Sequence, residues 1–276
     1  MKIAFFTGGT NGLGVVAATR LYQKGYRVYI ITRSKGGEER LEAYRKRTSS
    51  KKGGEFVFIT CDLSDPNSLA DAIRFFYSKE NHLDLLVNNA GIWNHHRKVT
   101  SSGIEETWQV NVLSPVYLIK SLHKALEKSD SPVVITTASA LHQGPIQFSD
   151  IEFAKDFSGF KAYRQSKHCV LVFTRFFART DSVVKYYCQH PGVVNTELGR
   201  DMGPGAKLFF SMVGVSKEKG ARTLNYLFSA DTDQLHSGEY YSKSKISKSP
   251  KMVRDRDYGK KLMEKIDLYL KDFPEI

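Results

Sequence analysis

Short apolar runs of four to six residues alternate along this chain with longer stretches in which apolar side chains recur every three or four positions. The short runs are Ile3–Phe6, Arg27–Thr32, Glu55–Thr60, Leu83–Val87, Pro132–Thr137 and Val183–Cys188. They are rich in β-branched and aromatic residues and too short for buried helices, so they predict strands. Val15–Lys24, Glu38–Lys46, Pro66–Tyr77, Ile104–Leu126 and Ala162–Arg179 carry helical spacing, with Asp65 near the start of the third and the fourth interrupted near Pro115. Strands alternating with helices imply an α/β fold, a parallel sheet with helices on both faces. No linker or internal repeat divides residues 1–276, so one domain is expected. Right-handed crossovers bring the C-terminal ends of the strands to one edge. That edge should collect the turn after the first strand, Arg33, Asp62, Asn89, the residues beyond Thr137, and Pro191–Thr196.

The first strand runs directly into Thr7–Gly14, T-G-G-T-N-G-L-G, and then into a helix. Glycine permits positive φ and close backbone approach, and a helix start offers free N–H groups with partial positive charge. Strand, glycine turn and helix start together make a phosphate cradle. The spacing is G-x-x-x-G-x-G rather than the commoner G-x-G-x-x-G, and several glycines in one turn are often only a turn. Their place at the end of a first strand points instead to a dinucleotide site on a Rossmann-type doubly wound sheet.

Such sites often carry an acidic residue at the end of the second strand, to accept hydrogen bonds from the ribose 2′-hydroxyl. Here Arg33, Ser34 and Lys35 occupy that place. A guanidinium would pair with a 2′-phosphate, so the chain is expected to take NADP(H) rather than NAD, the alternative being an exposed loop arginine. Asp62, after the third strand, either caps the segment after it or accepts a hydrogen bond from the adenine amine.

The bulk numbers exclude more than they assert. Hydrophobic residues at 41% and charged residues at 25% are ordinary for a soluble globular protein. The net charge of +12 suits anionic ligands or a solvated basic face, yet no basic block interleaves with aromatics as a nucleic-acid groove would require. The 3 cysteines, Cys61, Cys169 and Cys188, lack C-x-x-C spacing and fit reduced thiols in a cytoplasmic protein. No apolar run approaches the ~20 residues that span a bilayer. His95-His96 has no third ligand spaced to join it, so no metal is expected.

Tyr163 and Lys167 lie four apart in a helical stretch and so share a face. An ammonium beside a phenol favours phenolate and should lower the tyrosine pKa, giving a proton donor or acceptor for carbonyl chemistry. Tyr241 and Lys245 repeat the spacing in a Ser/Lys-rich stretch that should not be helical, where it would not bring the groups together.

Five segments now stand in order: T-G-G-T-N-G-L-G at Thr7–Gly14, N-N-A-G at Asn88–Gly91, Asn111, Y-R-Q-S-K at Tyr163–Lys167 and P-G-V-V-N-T at Pro191–Thr196. Over roughly the first 200 residues they resemble the short-chain dehydrogenase/reductase family. H-P-G-V-V-N-T-E-L, S-K-H-C-V-L-V-F-T-R and S-G-E-Y-Y are most similar to its retinol dehydrogenase-like branch. The resemblance implies an oxidoreductase that interconverts alcohols and carbonyls. Tyr163 would be its acid/base, Lys167 the partner holding the nicotinamide ribose, and Asn111 a support for a water-linked proton relay (or a hydrogen bond that kinks its helix). Gly8, Thr10, Asn11, Gly12, Leu13 and Gly14 would line the pyrophosphate. Asp62, Leu63, Asn89, Ala90 and Gly91 would line the adenosine side, and Pro191, Gly192, Val194 and Thr196 the carboxamide side. A homodimer is an expectation of the same kind.

One position departs from the pattern. The family places a serine after the fifth strand to hydrogen-bond the substrate oxygen, and ungapped alignment puts Ala138 there. Thr137 precedes it and Ser139 comes next; a one-residue shift could bring Ser139 into the role, and otherwise a weakened or lost activity is implied. That leaves an NADP(H)-binding regulatory protein as the alternative. Trp93, His95 and His96 come after N-N-A-G in an expected substrate-side loop, and His142 could face the substrate. Leu198–Ser216 holds Met202, Leu208, Phe209, Phe210 and Met212 and corresponds to a substrate lid, which suggests a bulky apolar small molecule or else a helix packed on the core. Retinol dehydrogenase relatives often carry an N-terminal membrane anchor. This sequence starts at its first strand, so at most peripheral membrane contact is expected.

Overall fold

The computed structural model describes residues 1–48, 53–192 and 216–276. Its strands are β1 (Ile3–Thr7), β2 (Arg27–Thr32), β3 (Glu55–Thr60), β4 (Leu85–Asn88), β5 (Val133–Thr137), β6 (Lys185–His190), β7 (Tyr240–Ser242) and β8 (Lys245–Ile246). They form an eight-stranded sheet in the order β3-β2-β1-β4-β5-β6-β7-β8. All neighbours are parallel except β7 with β8. The order reverses between β1 and β4, which opens the crevice where such sheets bind ligands.

The helices are α1 (Gly12–Gln23), α2 (Lys35–Thr48), α3 (Pro66–Lys79), α4 (Glu106–Trp108), α5 (Ser114–Leu126), α6 (Gly159–Thr180), α7 (Lys217–Gly220), α8 (Arg222–Leu227) and α9 (Arg256–Leu270). Alternation along β1 divides the core: Phe5 faces the layer of α3, α5, α6 and α9, while Ala4 and Phe6 face α1, α2 and α8. Each central strand is therefore apolar throughout, as a sheet covered on both faces requires.

One expectation met and one difference bear on the site. The interruption expected near Pro115 is a π-turn over Gln109–Leu113 centred on Asn111, and Pro115 itself sits in the first turn of α5, where a missing N–H costs nothing. The last strand of the crevice ends two residues later than its apolar pattern suggests, at His190, because Gln189 and His190 are polar yet hydrogen-bonded into the ladder. β7, β8 and α9 lie beyond the strand–helix alternation that the sequence made visible. Tyr241 and Lys245 fall on the β7–β8 hairpin, not on a helix.

Candidate active site

β1 ends at Thr7, whose hydroxyl accepts the backbone N–H groups of Asn89 (3.1 Å) and Ala90 (3.2 Å) and so ties the glycine turn to the end of β4. Gly8 (φ 69°) and Gly12 (φ 52°) have left-handed backbone. A Cβ on Gly14 would stand 1.9 Å from the Gly8 carbonyl oxygen, so the turn closes only with glycine there. Asn11 occupies the N-cap of α1 without a side-chain cap bond. The first N–H groups of α1 therefore lack a side-chain acceptor, and a diphosphate fits that end. Thr10 is buried, and Leu13 packs into the core beneath the turn. Asn89 donates through Nδ2 to the Gly8 carbonyl (3.0 Å) and accepts from the Thr137 hydroxyl (3.0 Å), which in turn accepts from Gln189 Nε2 (2.9 Å).

Arg33 lies exposed at the end of β2, without an ion pair to another described residue. Asp62 Oδ1 accepts from both the backbone N–H (2.9 Å) and the hydroxyl (2.8 Å) of Ser64, so this carboxylate does cap the turn after β3, while Asp65 caps α3. Leu63 is a core side chain. Pro191 and Gly192 (φ 85°) come after β6 at the same edge. Val194, Thr196 and all but the last residue of the expected lid lie outside the described residues.

The chemistry gathers at the start of α6. Ser158 caps this helix by accepting from the Lys161 N–H, and its 22 residues place Tyr163 and Lys167 one turn apart on the face toward β5. Lys167 Nζ donates to the Thr137 carbonyl at 3.0 Å and stands 5.8 Å from the centre of the Tyr163 ring. Burial depresses Lys167 to about 8. Burial also pushes the Tyr163 phenol up to about 12, against a hydrogen bond with the Ser139 side chain that pulls it down. The sequence reading expected the lysine to lower the tyrosine pKa. In the structure desolvation governs both groups, and it disfavours the phenolate and the ammonium alike.

The end of β5 places the three candidate positions differently. Ala138 points into the core on the α5–α6 side. Thr137 turns the opposite way, its hydroxyl engaged by Asn89 and Gln189. Ser139, one residue beyond the alignment position, reaches Tyr163. Its Oγ accepts the Leu141 N–H at 3.1 Å, which leaves its own hydrogen for the phenol. The Ser139 carbonyl accepts from His142 Nδ1 (2.6 Å) and the Tyr240 hydroxyl (3.3 Å), and His190 Nδ1 accepts the Ala140 N–H (3.2 Å). Burial, then the neighbouring His142, lowers His190 to about 4, so it stays neutral and able to accept. His142 is thus a buried brace of the loop.

Asn111 holds the loop after β4. Its Oδ1 accepts the Ile92 N–H, and its Nδ2 donates to the Ile92 carbonyl (both 2.9 Å) and to Ser166 Oγ (3.0 Å). Gly91 passes between this amide and Lys167, with room for a Cβ only 3.1 Å from Nζ. The structure thus brings Tyr163, Lys167, Ser139 and Asn111 together beside the glycine turn. Sequence reading assigns the bracing set Thr7, Gln189, His190 and Tyr240 no role: Thr7, His190 and Tyr240 stand only as members of quoted motifs, and Gln189 only as a polar residue at the end of an apolar strand. No group of described residues could hold a metal ion.

Comparison with known proteins identifies the family and the fold. A family model described as short chain dehydrogenase matches residues 2–206. Mouse retinol dehydrogenase 12 is 31% identical over 271 residues, covering 96% of this chain and 84% of that protein. The solved structure of an uncharacterized protein from Mycobacterium paratuberculosis gives a TM-score of 0.75 at 24% identity, covering 100% of this chain and 96% of that one. A short chain dehydrogenase from Burkholderia cenocepacia J2315 in complex with NADP gives 0.68 at 23% identity, covering 87% of this chain and 95% of that one.

Proposed function

The chain belongs to the short-chain dehydrogenase family, and from that premise we propose an NADP(H)-dependent oxidoreductase that interconverts an alcohol and an aldehyde or ketone on an apolar small molecule such as a retinoid, a steroid-like compound or a xenobiotic carbonyl. The observation that carries the reading is the buried Tyr163 one helical turn from Lys167, whose Nζ donates to the Thr137 carbonyl two residues before Ser139.

The glycine turn and the start of α1 would hold the diphosphate, Arg33 the 2′-phosphate, and Lys167 the nicotinamide ribose. NADPH bound there supplies the hydride. Tyr163 donates the proton from its hydroxyl to the carbonyl oxygen, and Ser139 hydrogen-bonds that oxygen as charge develops on it. A phenol raised to about 12 is fully protonated near neutral pH, which suits reduction better than alcohol oxidation. Lys167, near 8, remains largely charged at pH 7 and favours negative charge on the phenol as its proton leaves. Asn111 keeps the loop after β4 against Lys167, and a water-linked relay would pass along that side.

The alternative, an NADP(H)-binding regulatory protein without chemistry, stems from Ala138, and the reach of Ser139 supports catalysis over it. The mouse relative's name, a retinol dehydrogenase, supports an apolar substrate. Buried free Cys61, Cys169 and Cys188 support a cytoplasmic setting. No described helix is long and apolar enough to cross a membrane. The test is NADPH consumption by the purified protein against aldehydes, ketones, quinones and retinal, with Tyr163→Phe as the blank. Turnover that vanishes in the variant while NADPH still binds supports the proposal. No turnover across the panel with tight NADPH binding favours the regulatory alternative.

A further inference from the structure

We propose that Trp93 is a positioning residue for Tyr163, an aromatic platform that fixes the angle at which the phenol hydroxyl meets a substrate carbonyl. This rests on the reading of Tyr163 as the acid/base.

The two rings lie face to face, with centroids 4.6 Å apart and planes 7° from parallel. His95 covers the indole further out (6.2 Å, 16°), and Phe160 leans on it from the preceding turn of α6 (6.0 Å, 40°). The platform is itself held from both sides. Asn111 binds the N–H and carbonyl of Ile92 just before it, and the Asn94 side chain just after it donates to Glu106 Oε2 at 2.7 Å. Gly159 makes the close approach feasible: a Cβ there would stand 1.9 Å from the Asn94 carbonyl oxygen, so any other residue would lift this loop off the start of α6. The indole N–H is buried with no partner among the described residues, so no hydrogen bond there accounts for the ring's pose. Stacking and the pinned backbone do.

The stack acts on Tyr163 in two ways. It restricts the ring to one plane, so its hydroxyl is aimed along the Ser139 direction. The electron-rich face of the indole also opposes negative charge on the phenol and excludes water from that side. The groups facing Tyr163 are Ser139 at its hydroxyl, Lys167 from the next turn of α6 and Trp93 on its ring. Behind them stand His95 on the indole, and His142 and His190 bracing the Ser139 loop. Small misplacements of a reacting group cost roughly a hundredfold in rate, so a platform of this kind should show in kcat rather than in cofactor binding.

The experiment compares wild type, Trp93→Leu and Trp93→Phe in the full chain. Trp93→Leu should lower kcat by roughly tenfold or more with NADPH affinity unchanged. Trp93→Phe, which keeps a stacking ring, should restore kcat to within about threefold of wild type. Near-ultraviolet circular dichroism gives a readout free of turnover: Tyr163→Leu, which removes the stacked ring, should alter the indole band, and the same substitution should change the spectrum of Trp93→Leu far less. Absence of that coupling overturns the platform. Coupling with kcat unchanged in Trp93→Leu overturns its positioning role. Coupling in a protein whose turnover survives Tyr163→Phe refutes the acid/base reading, and the proposal with it.

Discussion

Lys167 Nζ donates to the Thr137 carbonyl oxygen at 3.0 Å, so this ammonium of the candidate site is held by a peptide oxygen at the end of β5 and, among the described residues, by no carboxylate. With 4% of its surface exposed, it is depressed to about 8, against an unfolded value of roughly 10.4. The folded state therefore binds fewer protons than the unfolded state between these values, and stability rises with pH across that window. Below pH 8 both states are protonated, and the burial penalty is present in full. Denaturant unfolding of wild type and Lys167→Met from pH 7 to 10.5 should show the wild type gaining about 3 kcal/mol relative to the variant. Taking the difference between the two cancels the buried tyrosines and thiols that titrate in the same range. A difference independent of pH would show that Lys167 is not desolvated.

Ser139 should be indispensable to turnover where Ala138 is not. Ser139→Ala removes the donor to the reacting oxygen, and loss of one such donor costs ~10²–10³ in kcat, about 2.7–4 kcal/mol. NADPH affinity should be unaffected. Restoring the family serine in the double variant Ala138→Ser, Ser139→Ala should not rescue it, because the residue 138 side chain points into the core between α5 and α6. Steady-state kinetics of the three proteins check this. Full rescue by the double variant would place the alignment, and not the geometry, in the right.

The parallel sheet was legible because its central strands are apolar on both faces and alternate with helical spacing. The glycine turn, Tyr163 and Lys167 were legible because backbone conformation and helical periodicity leave few residue choices. Ser139 was left ambiguous, since sequence spacing cannot show that the chain past Thr137 leaves strand geometry and turns the next-but-one residue to the site. The direction of the Tyr163 shift was misjudged for a related reason: adjacency to Lys167 is visible in sequence, whereas burial of both groups depends on how the loops after β4 and β5 close over them. The π-turn at Asn111 likewise depends on tertiary contacts with Ile92 and Ser166, and a kink is more naturally assigned to the nearby proline.

Arg33 should set the choice between the two nicotinamide cofactors. It is exposed at the end of β2 with no carboxylate partner among the described residues, and so is available to a phosphate. A charge-assisted hydrogen bond contributes about 1.5–3 kcal/mol, so Arg33→Ala should weaken NADPH binding by roughly 10- to 100-fold and leave NADH almost unchanged. Arg33→Asp should shift preference toward NADH, since a carboxylate accepts from a ribose 2′-hydroxyl and repels a 2′-phosphate. Calorimetric titration of both cofactors measures the ratio. An unchanged ratio would refute the 2′-phosphate contact.

Gly14 and Gly25 offer a matched pair that separates the cradle from ordinary backbone strain. At Gly14 an added Cβ would stand 1.9 Å from the Gly8 carbonyl oxygen, and a Cβ on Gly8 would stand 2.8 Å from the Ala90 backbone, so neither side of the turn has space for one. At Gly25 the backbone is left-handed (φ 84°), and nothing lies within 4 Å of the new atom. Gly25→Ala should therefore cost only the left-handed penalty of about 1–2 kcal/mol, with NADPH affinity intact. Gly14→Ala should destabilise by about 3 kcal/mol or more and weaken NADPH binding at least tenfold under conditions where the protein remains folded. Thermal unfolding with and without NADPH reads both quantities at once, because a cofactor that binds only the native state raises the midpoint by an amount that grows with the logarithm of its affinity. If NADPH protects Gly14→Ala and Gly25→Ala equally, the turn at Gly8–Gly14 is not the cofactor cradle.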